Sequence, residues 1–213
     1  MIASMTRPTR GILLALVTAV ALLAVLLLGS CDSPSTTEEA AGAVLPELQP
    51  IPADAEQFAI GGTSGVFFAA ASERTKPLAS ARGMNGALAL TTGTADGAVL
   101  QFDFDPRTIS GMSDDAAAAL GGADFLEAGR FPSASFHSID VRTADTGFEV
   151  EGVLELRGVK QRVTFPAQIV VGESQVTAQA ELAIDRDLFG LPAGPDPELI
   201  LRLHLEASRL STS

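Results

Sequence analysis

The stretch FEVEGVLELRGVKQRVTFPAQIVV, Phe148 to Val171, decides the fold. Phe148, Val150, Gly152, Leu154 and Leu156 fall on one face, and Glu149, Glu151, Val153 and Glu155 on the other. A period of two with one apolar face marks a half-buried antiparallel strand. Arg157-Gly158 follows as a two-residue turn, and the alternation resumes with Val163, Phe165, Ala167, Ile169 and Val171. The stretch therefore reads as a hairpin. Pro166 interrupts its second strand. A proline cannot donate to a ladder, so it marks an edge, a bulge or a strand start.

The same period extends in both directions. LILRLHLEA places Leu199, Leu201, Leu203, Leu205 and Ala207 opposite Ile200, Arg202, His204 and Glu206. VTAQAELAI groups Val176, Ala178, Ala180, Leu182 and Ile184, and VLQFDFD groups Leu100, Phe102 and Phe104. Asp145-Thr146-Gly147 and Val171-Gly172-Glu173-Ser174 supply further hairpin turns. About eight strands over residues 58–210 predict an all-β domain, either a sandwich or a closed up-and-down antiparallel barrel. SDDAAAAL, with Ser113 as N-cap and Gly121-Gly122 as stop, predicts one short helix near 114–120.

The start of the chain has a different character. Arg7 and Arg10 precede a charge-free apolar run from Ile12 to Leu28, the pattern of a secretion signal or a membrane anchor. Leu28-Gly29-Ser30-Cys31 contains the only cysteine and resembles a bacterial lipobox. On that reading residues 1–30 are a lipoprotein signal peptide, and the Cys31 thiol carries lipid as the new N-terminus. The alternative is an uncleaved anchor with an incidental cysteine. Residues 31–57, polar and proline-containing, read as a flexible tether. The expected location is a bacterial envelope, with the domain in the periplasm or another extracytoplasmic space.

Chemistry is sparsely signalled. The formal net charge of −12 supplies no basic stripe for nucleic acid. A lone cysteine forms no internal disulfide. His204 falls on a polar strand face, the phase at His137 is open, and the two have no metal-ligand spacing. Phosphate-binding and nucleophile-elbow motifs are absent, so no cofactor and no enzyme activity is expected.

Four blocks resemble the YceI-like family of bacterial secreted proteins. The first, in GADFLEAGRFPSASFHSIDV, runs through Asp124, Phe125, Leu126, Phe131, Pro132, Ala134 and Phe136. GVLELRGVKQRVTFP follows through Gly152, Leu154, Leu156, Gly158, Val159, Lys160 and Val163. AIDRDLFGL contributes Ile184, Arg186, Phe189 and Gly190, and LHLEA the closing strand. The acidic or histidine position that usually precedes the first strand is missing. The resemblance implies an extended lipocalin-like barrel of about eight strands holding a polyisoprenoid or another long amphiphile. The expected lining is Val66, Phe68, Phe102, Phe104, Phe136, Leu154, Phe165, Ile169, Leu182, Leu201 and Leu203. Small inward residues (Ala70, Gly152, Ala167, Ala178, Ala180) either leave volume for a ligand or let the barrel narrow around a dry core. Arg186 either bridges Asp185, Asp187 or Asp105 at a barrel mouth or meets an anionic headgroup. The rival function is a lipid-anchored module that docks a membrane redox or envelope partner and carries nothing.

Overall fold

The computed structural model describes Leu48, residues 50–111, Ser113, Ala116, residues 125–194 and residues 196–210. The strands are β1 (Glu56–Ile60), β2 (Gly65–Ala70), β3 (Pro77–Arg82), β4 (Asn85–Leu90), β5 (Val99–Phe104), β6 (Ser110–Gly111), β7 (Ala134–Thr143), β8 (Phe148–Leu156), β9 (Val159–Val171), β10 (Gln175–Asp185) and β11 (Glu198–Arg209). All pairings are antiparallel. The circuit β1-β4-β5-β7-β8-β9-β10-β11 closes because β11 pairs back onto β1, with Ala59 opposite Ser208. The expected all-β class and the closed eight-stranded barrel are thus present.

Three further segments lengthen three of the eight staves. β2 continues β1 and pairs with the N-terminal half of β11, β3 precedes β4, and the two-residue β6 follows β5 and pairs with β3. The break between β1 and β2 turns through Gly62, at φ +64°, a conformation that costs glycine little. Buried Ser64 bridges that break: its Oγ accepts the Glu206 N–H at 2.9 Å and lies 3.0 Å from the Gly61 carbonyl oxygen.

The hairpin of Phe148–Val171 forms as its sequence predicts. Nine residue pairs join β8 to β9, and Arg157 and Gly158 both take positive φ (51° and 73°), as a type I′ turn requires. The turns after β7 and β9 lie at one end of the barrel, with the start of β1 and the end of β11. Arg157-Gly158 and the connections 71–76, 105–111, 125–133 and 186–197 lie at the other, called here the base. Segment 125–133 is fastened to that base: Arg157 pairs with Glu127, and the Phe131 ring lies 2.9 Å from where a Gly158 Cβ would stand.

Inside the barrel the aromatic rings form two groups. Phe68 meets Phe104 and Phe125 edge-on (centroids 6.4 and 5.5 Å), and Phe136 packs between Phe102 and Phe165 (5.4 and 5.5 Å). Gly152 is the contact that admits Phe136. A Cβ there would lie 2.4 Å from the ring. Its small size is therefore taken up by an aromatic neighbour and leaves no room for a ligand at that point. Of the expected helix, only Ala116 is described. It is helical, and its N–H reaches Ser113 Oγ at 3.2 Å. The remainder of that helix, Asp124 and all of residues 1–47, Cys31 included, lie outside the described residues.

Candidate functional site: the barrel interior

Strand alternation turns one row of each stave into the barrel. Val66, Phe68, Phe102, Phe104, Phe136, Leu154, Phe165, Leu182 and Leu201 are buried in a single apolar cluster, and Ile169 and Leu203 pack against it partly exposed. Ala178 and Ala180 share that partial exposure. In β9–β11 the inner wall is therefore not sealed by its own side chains. On the opposite face Glu151 pairs with Arg162, Glu155 with Lys160, and Arg202 with Glu181 at 3.3 Å. His204 shares that outer face and lies 3.3 Å from Glu206. His137, between buried Phe136 and Ser138, also takes the outward phase.

Polar groups are scarce in this interior. Among the described residues the buried polar side chains are Ser64, Ser138 and Arg186. Ser138 sits where the β7–β8 register slips past Ile139, and its Oγ accepts the Leu100 N–H at 2.8 Å. That bond restores a partner to a ladder group freed by the bulge.

Arg186 stands at the strand end where the sequence put it, at one end of the barrel. It follows the last residue of β10, is 2% exposed, and lies in the base. Its Nη1 donates to the Pro192 carbonyl at 2.8 Å, and its own carbonyl accepts the Leu191 N–H at 2.9 Å. Gly194 packs on the guanidinium so closely that a Cβ would lie 2.6 Å from Cζ. Burial lowers the Arg186 pKa from its ordinary value, and the Asp196 carboxylate opposes that shift. Two of the expected acids have other partners. Asp105 holds Arg107 at 2.6 Å, and Asp185 accepts the Asp187 N–H at 2.9 Å. The residue organises loop 186–197, which strand periodicity could not reveal because the loop lies beyond the alternating run.

One seam of the barrel is incomplete. β9 pairs with β10 only from Val171–Val176 to Ala167–Ala180, five residue pairs, whereas β10 and β11 share eleven. Beyond Ala167, β9 from 159 to 166 and β10 from 181 to 185 face each other without a ladder. The 3₁₀ turn Asp187–Phe189 lies at the foot of this gap, where Gln161 Nε2 donates to the Leu188 carbonyl at 3.0 Å. An open groove of about 650 Å³ lies at the other end of the gap, beside the last paired rung Ala167–Ala180. Outward Phe67, Pro77, Pro166, Gln179, Glu181 and Arg202 line it, together with Ala167, Ala180 and Leu203 of the inward phase. The sequence offered one signal for the gap, Pro166 inside an otherwise regular strand.

Among the described residues no three His, Cys, Asp or Glu side chains converge as a metal site would need. What the interior offers is apolar enclosure with one buried cation at its base. Fold and interior together define the class: a closed, lipocalin-like antiparallel barrel with an apolar core. The chain belongs to the YceI-like family, whose domain matches residues 62–207. No protein of curated function matches it in sequence. Among solved structures, BcnA of Burkholderia cenocepacia is similar at 20% identity over 67% of this chain and 95% of its own, with a TM-score of 0.57. The Campylobacter jejuni YceI protein is similar at 14% identity over 82% and 96%, TM-score 0.52. A polyisoprenoid-binding domain from Saccharophagus degradans, implicated in plant cell wall breakdown, is similar at 14% over 73% and 99%, TM-score 0.51.

Proposed function

We propose that the domain binds a polyisoprenoid or another long-chain amphiphilic lipid inside the barrel, and that it does so as a carrier tethered to a membrane through acylated Cys31. The observation that carries the binding reading is the inner wall of β9–β11. There Ile169, Ala178, Ala180 and Leu203 take the inward phase, are apolar, and are only partly covered by the protein's own side chains. Family membership and the structural likeness to a domain described as polyisoprenoid-binding support the ligand class. The lipobox-like Leu28-Gly29-Ser30-Cys31 supports the tether and an envelope location.

The energetics favour transfer over tight storage. Each CH₂ removed from water contributes about 0.8 kcal/mol. A chain of roughly forty carbons would on that count exceed the practical ceiling of about −20 kcal/mol. Such a lipid never resides in water, however. Its other home is the bilayer, as apolar as the barrel, so the net preference is small and exchange follows. A tether then serves by raising the local concentration of barrel near its lipid source.

Native mass spectrometry with organic extraction of the purified protein tests this. Wild type is expected to carry extractable lipid. Leu203→Asp, which puts a charge on the apolar wall, is expected to lose it while Arg202→Ala on the outer face keeps it. A folded wild type that carries no lipid and takes none from isoprenoid-containing vesicles would refute the reading and favour the partner-docking alternative.

A further inference from the structure

We propose that lipid enters and leaves the barrel sideways, through the unpaired seam between β9 and β10, with turn Asp187–Phe189 as its gate. The inference rests on the lipid-binding reading above and adds the route, which neither the family nor the fold assigns.

The seam ends where it does for a chemical reason. At the tip of the β9–β10 hairpin the Gly172 N–H donates to the Gln175 carbonyl at 2.9 Å. In an antiparallel ladder, hydrogen-bonded pairs recur every second residue. The series from that bond runs through 170–177 and 168–179, and its next member is Pro166 opposite Glu181. Proline has no N–H to give, so the ladder loses its donor at the position where pairing stops. Below it, outward Thr164 and Pro166 on β9 and Glu181, Ala183 and Asp185 on β10 are all exposed.

The facing inner residues suit a hydrocarbon chain. Continuing the register past Ala167–Ala180 sets Phe165 opposite Leu182, both buried, while inward-phase Val163 remains partly exposed. Immediately outside lies the groove whose walls include Phe67 and Pro166 from the outer face and Ala180 and Leu203 from the inner phase. A groove lined from both phases at the last paired rung is the geometry of a passage through a sheet. Widening any laddered seam breaks main-chain hydrogen bonds. Widening this one below Ala167–Ala180 breaks no ladder bond; it parts Phe165 from Leu182 and moves the turn, whose Leu188 is 57% exposed and whose Phe189 is buried beneath. The β6–β7 seam is also unladdered, but there Phe125 and Leu126 are buried and segment 125–133 is anchored through Arg157 and Glu127.

The test uses the full chain with Cys31→Ser and the pair Thr164→Cys and Ala183→Cys, both exposed and on opposite banks of the seam. A short bismaleimide joins them. Transfer of a pyrene-labelled polyprenol between phosphatidylcholine vesicles is then followed by fluorescence. The expected result is that bridging before loading slows uptake at least about tenfold, because a gating motion sets the rate. Bridging after loading should trap the probe to the same degree, while the single-cysteine variants treated alike transfer normally. Pro166→Val, which restores the donor opposite Glu181 without a cross-link, should also slow transfer. Normal transfer by the bridged protein and by Pro166→Val would overturn the lateral route and leave lipid binding standing. Failure of the unbridged protein to take up the probe would overturn both.

Discussion

Gly152→Ala isolates the packing that shapes the interior. The added methyl would lie 2.4 Å from Phe136 Cζ and 2.5 Å from the His137 carbonyl oxygen. Ordinary carbon contacts are about 3.5–4.0 Å, so both groups, or β8 itself, must give way by roughly 1 Å. Neither moves freely. The ring is packed between Phe102 and Phe165, and the carbonyl belongs to the main chain of β7. Overpacking of this kind costs about 1–3 kcal/mol, and two constrained neighbours place it near the upper figure. Replacing glycine within a strand returns about 0.5–1 kcal/mol. The net destabilisation expected is about 2 kcal/mol, a loss of about 1 M in the urea midpoint for an m-value near 2 kcal/mol/M. Phe136→Leu removes the offending ring edge, so the double variant should be more stable than the sum of the single losses by about 1 kcal/mol or more. Equilibrium urea unfolding followed by far-UV circular dichroism reads all four proteins. A Gly152→Ala midpoint within about 0.25 M of wild type, or single losses that add within about 0.5 kcal/mol, would refute the argument.

Other outcomes follow from the same residues. Cys31→Ser should release the protein from membranes or leave an unprocessed precursor, read by detergent phase partitioning; a variant that still enters the detergent phase at mature size would disprove lipid attachment there. Asp196 is held below its ordinary pKa by hydrogen bonds from the Ser72 hydroxyl and backbone, then by Arg186, and Glu206 below its own by Thr63 and then His204. Carboxylates with depressed folded pKa values contribute stability above their unfolded values, 3.8 and 4.5, and lose it as pH falls through the folded ones. Thermal melts should thus drop in that acid range, and Ser72→Ala should flatten the drop. Arg186→Lys keeps the charge but not the planar fork that Gly194 covers, and should lower the melting temperature with a loss of about 1.5–3 kcal/mol. An unchanged melt would show that the guanidinium plane is dispensable.

The barrel was legible because its strands are half-buried. Phe148–Leu156 and Leu199–Ala207 keep the period of two, with Val153 and Ile200 the apolar exceptions on the outer rows, and that alternation assigns each side chain to a face. The hairpin turns were legible because Arg157-Gly158 and Gly172 occupy the short gaps between such runs. The seam was only half legible: Pro166 announced an irregularity, but which neighbour it would be parted from depends on pairing that one strand does not encode. Gly152 misled for a related reason. Composition counts a glycine as space, whereas the register places Phe136 against it. The burial of Arg186 was not legible because it is determined by the loop that folds over the residue, and loop 186–197 carries no period to read.

The eleven segments also distribute risk of self-association unevenly. Where β11 closes on β1 there is no free strand edge for another chain to extend, whereas the exposed banks of β9 and β10 toward the base are such edges. Arg162 and Thr164 on one bank, and Glu181 and Asp185 on the other, put polar or charged side chains where a visiting strand would have to lie. Together with the proline they act as gatekeepers: the domain keeps an opening in its wall without offering that opening as a template for aggregation.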